Sequence, residues 1–376
     1  MAAKGTLSVH AYLGSPPPST VTSDGRIRTT IQRMNFFAKG LHWVFYFSNM
    51  AIWYKVSSDG VAWSLPVKVT VTSYPDFFSL YFDGLYIHYA CNSYSAMWYR
   101  KGMVNADGTI GWLTEEQHVP ELEGYYTCDP TICVDSYGYP WIGYYDSKGV
   151  GFNDWLPAVV KSRRNDGIWE TDSGFPYFPD TTGKRRWYGI SVIPLSSGKV
   201  YALYYRSWQK VSMPDVPTQP IYGKLWDGVA WGNEEQASLS NVANEVFHML
   251  SVTENADEIH VTFLKDLTHD IVYVKRATVG WEPERVIKSG ATGLSIPVVS
   301  CNPALKNLVA LWFEGNQLYY AIAYINEIWS EPAGWLIEQE PVEATEIICS
   351  RKESYILGTV WRLTSGALRY AYRFYK

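Results

Sequence analysis

Tryptophan returns along this 376-residue chain at a regular interval. Trp63, Trp112, Trp169, Trp231, Trp281 and Trp329 are separated by 49, 57, 62, 50 and 48 residues. Each follows a short turn at the end of a strand-like run. The clearest instance is Ala51-Ile52-Trp53-Tyr54-Lys55-Val56, then Ser57-Ser58-Asp59-Gly60-Val61-Ala62, then Trp63. Asp-Gly readily takes the positive φ of a tight hairpin, so Trp63 opens the return strand. Asp107-Gly108, Asp166-Gly167 and Asp227-Gly228 hold the same place before Trp112, Trp169 and Trp231. Val279-Gly280 and Glu327-Ile328 hold it before Trp281 and Trp329. A repeat of this length built from strands alone specifies blades arranged around an axis.

The strands parse into seven such units. The expected fold is all-β: a seven-bladed β-propeller of four-stranded antiparallel blades over residues 32–376. Residues 1–31 form a separate N-terminal part, a closing strand followed by a linker rich in proline at Pro16, Pro17 and Pro18. Blade seven has strand patterns at 346–350, 355–360 and 368–372, and then the chain stops one strand short. An open blade leaves an unpaired edge, which proteins normally cover. Residues 7–13 are the first choice for the missing strand, with 27–31 as the alternative. Between Ser207 and Pro220 blade four carries an insertion with Pro214, Pro217 and Pro220, a long loop. No helix of ordinary length is readable.

Composition fits this reading. Aromatic content is 16%, with 29 Tyr and 17 Trp, which suits many short half-buried strands. The formal net charge is −5 and no basic tract is longer than three residues, which argues against nucleic acid as partner. No run approaches the ~20 apolar residues of a membrane helix, so membrane insertion is not expected. The start of the chain shows no apolar signal core, yet an extracellular or virion-surface setting is favoured. The five cysteines, Cys91, Cys128, Cys133, Cys301 and Cys349, include no CxxC pair and read as buried free thiols. His88 and His260 fall mid-strand in second strands, as core histidines do. Neither metal nor cofactor is expected.

The turn Ser57-Ser58-Asp59-Gly60-Val61-Ala62-Trp63 resembles the Asp-box of sialidase-like, BNR-repeat propellers. That family writes Ser/Thr-x-Asp-x-Gly-x-x-Trp between the third and fourth strands of a blade. Here one residue is missing between Asp59 and Gly60, and the other turns keep only fragments. The resemblance implies the propeller fold, with the box on the face away from the active site.

In a propeller, first strands start and second strands end at one mouth of the central channel. Polar residues collect at those positions. Asp76 and Asp129 lie at first-strand starts, and Asp146, Arg206, Glu314 and Arg362 at second-strand ends. Arg186 precedes the first strand of blade four. These seven are the candidate ligand residues. Arg186, Arg206 and Arg362 suit a carboxylate clamp, because the planar guanidinium fork matches a carboxylate. Asp129 with Asp146, or Asp76 with Glu314, could serve as the carboxylate pair of a glycosidase. No HExxH, GxSxG or phosphate-binding glycine motif occurs. The sequence therefore favours a non-catalytic recognition propeller for carbohydrate or a protein surface. The alternative is a polysaccharide-active enzyme, a sialidase-like hydrolase or a lyase, with its site in that mouth.

Overall fold

A computed structural model describes residues 16–27, 31–71, 75–93, 96–120, 126–147, 155–181, 187–207, 219–243, 250–293, 295–324, 328–352 and 356–374. Seven antiparallel sheets form the blades of a propeller, six of them built from strands consecutive in the chain. Among the described residues there is no helix. First strands of successive blades lie side by side, Tyr126–Val134 between Pro75–Phe82 and Trp187–Pro194 for instance. Burial falls from axis to rim, as radial packing requires. The first strand of blade six, Val298–Asn302, is wholly buried, whereas the outer strand of blade one, Val67–Lys68, is exposed.

The blades are not uniform. Those of residues 75–119 and 250–288 carry a fifth short strand. Blade three has three strands, and its outer edge is completed by single bridges from Thr171 to Ser162 and from Tyr177 to Val159. The insertion of blade four falls at 208–218, outside the described residues.

Blade seven is closed from the N-terminal side. Ser19–Thr22 pairs antiparallel with Leu368–Phe374 as the fourth strand of that sheet. The closing strand thus lies directly after the proline run, within what the sequence suggested was linker. An outermost strand needs hydrogen-bonding groups on one edge only, so four residues, Ser-Thr-Val-Thr, suffice. Val21 supplies the buried anchor at 1% exposure. Residues 7–13 lie outside the described residues, as do 28–30 of the alternative segment.

Five of the six turn tryptophans pack backwards, onto the preceding blade. Trp63 stands edge-on to Tyr370 of blade seven at 5.1 Å, and Trp169 contacts Tyr99 of blade two at 5.1 Å. Trp231 stacks on Tyr177 of blade three at 4.7 Å. Trp281 donates its indole N–H to the Tyr201 hydroxyl of blade four at 3.0 Å, and Trp329 meets Tyr273 of blade five at 5.2 Å. Trp112 instead packs within its own blade, against Tyr89. Three of the receiving tyrosines are fixed from behind by a buried histidine. His42 bonds Tyr370 at 2.7 Å, His88 bonds Tyr99 at 2.9 Å and His260 bonds Tyr273 at 2.8 Å. These imidazoles are structural: burial lowers the pKa of His42 to about 4 and of His260 to about 3.

The Asp59 turn shows why Asp and Gly recur. The Asp59 carboxylate accepts the Val61 and Ala62 amides, each at 2.8 Å, and the Ser57 hydroxyl accepts the Gly60 amide at 2.8 Å. Gly60 sits at φ +68, and a Cβ there would stand 2.5 Å from the Tyr372 ring.

Candidate functional site

Two side chains just before blade one reach into the channel interior. The first, Gln32, is 0% exposed, and its Nε2 donates to the Pro130 carbonyl of blade three at 3.0 Å. Arg33, just before the first strand of blade one, is 5% exposed and extends across the axis. Its Nη1 donates to the Cys349 carbonyl at 3.1 Å. Its Nη2 donates to the Ser251 hydroxyl at 3.1 Å, the Val299 carbonyl at 3.2 Å and the Val252 carbonyl. One guanidinium thereby ties blades one, five, six and seven. Burial lowers its pKa, and no carboxylate among the described residues touches it; the acceptors are neutral oxygens and the Cys349 sulfur.

Arg33 forms the floor of a cavity of about 380 Å³ at the mouth where first strands end. The Asp-Gly turns lie at that same end, since third strands and first strands run in parallel sense within each meander. One wall is aromatic: Phe36 and Phe82 stack at 4.8 Å with planes 7° apart, and Tyr81 lies beside them. The other wall is ionic. Arg351 Nε donates to Glu254 at 2.6 Å, with side chains 12% and 5% exposed. The Arg351 guanidinium lies 5.9 Å from the Tyr81 ring centroid. Burial pulls the Arg351 pKa down, and Glu254 and Tyr81 outweigh it, so the net direction is up. Its Nη2 is shielded from solvent and has no acceptor. The Tyr81 hydroxyl is pushed up by burial and by Glu254. Lys352 is exposed at the rim.

Asp83 also lines the cavity but is committed elsewhere. It accepts the amides of Leu85 at 2.9 Å and Tyr86 at 2.6 Å, and His88 Nε2 at 3.2 Å. Burial alone would raise its pKa; those hydrogen bonds, led by His88, hold it below the ordinary carboxylate value.

Of the seven residues singled out from sequence, the six that are described belong to the opposite mouth. Asp129 and Asp146 are brought together on neighbouring strands of blade three. Asp129 sits in a bulge at φ +48, next to Cys128, which pairs with Tyr145, and Thr127 pairs with Asp146. Both carboxylates are buried, at 2% and 0% exposure. The Tyr145 hydroxyl donates to Asp129, and burial followed by the Asp129 charge drives its pKa well up. Glu314 caps a local corner, accepting the Trp312 indole at 3.0 Å and the Thr292 hydroxyl at 3.2 Å. Arg362 clamps the N-terminal segment: Nε donates to the Gly25 carbonyl at 3.0 Å and Nη1 to Glu346 at 3.0 Å. Glu346 in turn accepts the Ile27 amide at 3.1 Å. Asp76 lies on Pro75–Phe82 and Arg206 on Val200–Ser207, described at the backbone only. Arg186 lies outside the described residues.

Glu254, Arg351 and Lys352 escaped the sequence reading because it collected the starts of first strands. Their signal was a charged residue at or just beyond the end of an innermost apolar strand. Among the described residues, no group of three or more His, Cys, Asp or Glu side chains is arranged to hold a metal. No helix among them is long and apolar enough to cross a membrane.

No protein-family model matches the chain, and no curated protein matches it. Solved structures share its architecture. The BP39L lectin from Burkholderia pseudomallei is similar at TM-score 0.65 and 9% identity, over 93% of this chain and 96% of that one. The polysaccharide lyase Uly1 aligns at 0.60 and 9% identity, over 96% and 100% of the two chains. A family PL25 ulvan lyase, solved bound to -[GlcA(1-4)Rha3S]-, aligns at 0.59 and 9%, over 94% and 95%. At these identities the likeness carries the fold alone.

Proposed function

We propose that the chain is a recognition propeller that binds carbohydrate, free or displayed on a protein surface, without turning it over. The cavity above Arg33 carries this reading. Aromatic faces opposite planar, charged hydrogen-bonding groups are what a sugar ring needs, its C–H face stacking and its hydroxyls bonding. Hydrolysis of a glycosidic bond needs one carboxyl kept protonated and a second free to act. The two carboxylates of this cavity are bound instead to Arg351 and to His88 with backbone amides. That two lyases and a lectin share the architecture is consistent with a saccharide ligand. The Asp59 turn supports counting the chain as a divergent Asp-box propeller, and an extracellular or virion-borne setting would suit that reading.

A second reading has its own observation. Asp129, Tyr145 and Asp146 gather buried acid groups at the other mouth, where the Asp-box resemblance puts a hydrolase centre. Burial drives the Tyr145 hydroxyl away from the ionised state a nucleophile needs, which favours the binding reading.

A glycan array run beside assays for reducing ends and unsaturated products separates the two. Glycan binding without product supports recognition. Product formation abolished in Asp129→Asn or Asp146→Asn would replace it with the enzyme.

A further inference from the structure

Resting on that reading, we infer that the cavity above Arg33 recognises an anionic sugar residue, one carrying a carboxylate or a sulfate, through Arg351 and Lys352. Three cations line the cavity, Arg33, Arg351 and Lys352, against two carboxylates, Glu254 and Asp83. The count leaves one positive charge in excess, and the local bonding sharpens it. Arg33 spends its donors on neutral oxygens and the Cys349 sulfur, so among the described residues its charge has no carboxylate in contact. Asp83 faces His88 and two backbone amides, with burial holding His88 below its ordinary pKa and therefore neutral near pH 7. Asp83 keeps its negative charge but turns its contacts away from the guanidinium groups, so among the described residues Glu254 is the carboxylate of the cavity that pairs with one of its cations.

A buried excess cation is costly unless a counter-charge meets it. Arg351 presents the means: Nε is taken by Glu254, while Nη2 is shielded and has no acceptor. A ligand oxyanion entering past Phe82 and Tyr81 would supply both the missing acceptor and the missing charge. Lys352, exposed at the rim and held in no ion pair among the described residues, would meet the same group or its neighbour along a chain. A neutral sugar could fill the acceptor but not the charge. This mouth is the one bearing the Asp-Gly turns, opposite to the mouth where the Asp-box resemblance puts an active site.

The test is a calorimetric titration of the full chain with three oligosaccharide series: a hexuronate, the same backbone with its carboxyls reduced to alcohols, and a sulfated one. At least one anionic series should bind about tenfold more tightly than the reduced one, the value of one charge-assisted hydrogen bond. That preference should shrink with added salt. Lys352→Gln, at an exposed position, should weaken anionic binding several-fold while keeping the melting temperature. Arg351→Lys, which keeps the charge and loses the fork, should weaken it further. Equal affinity for charged and reduced series overturns the anionic site and leaves carbohydrate recognition standing. A charge preference untouched by both substitutions also overturns it, since the anion then binds elsewhere. If no sugar of any series or of the array binds, the proposed function falls with it.

Discussion

Trp63 donates its indole N–H to the Ser19 hydroxyl across 2.9 Å, and that hydroxyl donates onward to the Gly60 carbonyl at 2.7 Å. The turn of blade one thus holds the strand that completes blade seven. The tryptophan repeat and the ring closure are one device. Val21→Asp would put a carboxylate into the apolar cluster that Val21 fills, and should cost roughly 3 kcal/mol or more. Trp63→Phe keeps the ring and loses the hydrogen bond, and should cost only about 1 kcal/mol. Urea unfolding of both variants checks the ordering; equal, small losses would show that closure contributes little.

Trp329 is 9% exposed and wedged on Tyr273, whereas Val279, in the equivalent turn one blade earlier, is 99% exposed. Trp329→Ala should cost ~3–5 kcal/mol as a large-to-small core change. Val279→Ala should stay within about 0.5 kcal/mol. Chemical denaturation of the pair reads the contrast directly.

Removing the guanidinium of Arg33 takes its donors away from the Cys349, Val252 and Val299 carbonyls, while the Ser251 hydroxyl keeps the Val299 amide. Each buried unsatisfied group costs ~1–3 kcal/mol, so Arg33→Met should destabilise by several kcal/mol. A variant that melts with the parent protein would show the acceptors to be satisfied by water.

Acid should weaken the fold before its carboxylates titrate. His42 and His260 are held near pKa 4 and 3 by burial, below the ordinary 6.5. Above pH 6.5 both folded and unfolded chains leave them neutral. Between 6.5 and about 4 the unfolded chain binds protons that the folded chain refuses, so stability falls as pH falls, by about 3 kcal/mol or more per group. Melting temperatures measured from pH 7 to pH 4 should decline, and His260→Gln should flatten the slope. A flat parent profile would mean that these imidazoles protonate in place.

None of the five cysteines is in a disulfide, and four are buried. Burial pushes the Cys301 thiol up to about 12 and raises Cys91 and Cys133 well above their ordinary value. Native protein exposed to a maleimide should be labelled at Cys128 and spared at those three, as peptide mass mapping would show. Rapid labelling of Cys301 would mean that its blade opens readily.

The period of Trp63, Trp112 and their successors made the fold legible, because one blade position imposes one local chemistry each time it recurs. The direction of tryptophan packing was not legible, since either neighbouring blade satisfies the same spacing. The closing strand was missed where three prolines, read as linker, abut a four-residue edge strand with a single buried valine. The cavity was hidden for a different reason. Phe36, Tyr81, Glu254 and Arg351 belong to four blades, and only the closing of the ring makes them neighbours. Asp129 and Asp146 could be paired from sequence because they lie on adjacent strands of one blade.

Closure by Ser19–Thr22 also sets how the ring answers to mechanical load. The strand runs antiparallel to Leu368–Phe374, with Ser19 opposite Tyr370 and Thr22 opposite Leu368. Pro18 and Phe374 therefore leave the sheet at the same end. Tension between those two points peels the pairs apart in sequence, Ser19 from Tyr370 first, instead of shearing them all at once. A propeller tethered by those two points should yield at low force in single-molecule pulling. The same molecule held at Ser48 and Asn302, two strand ends in different blades, should resist until whole sheets part.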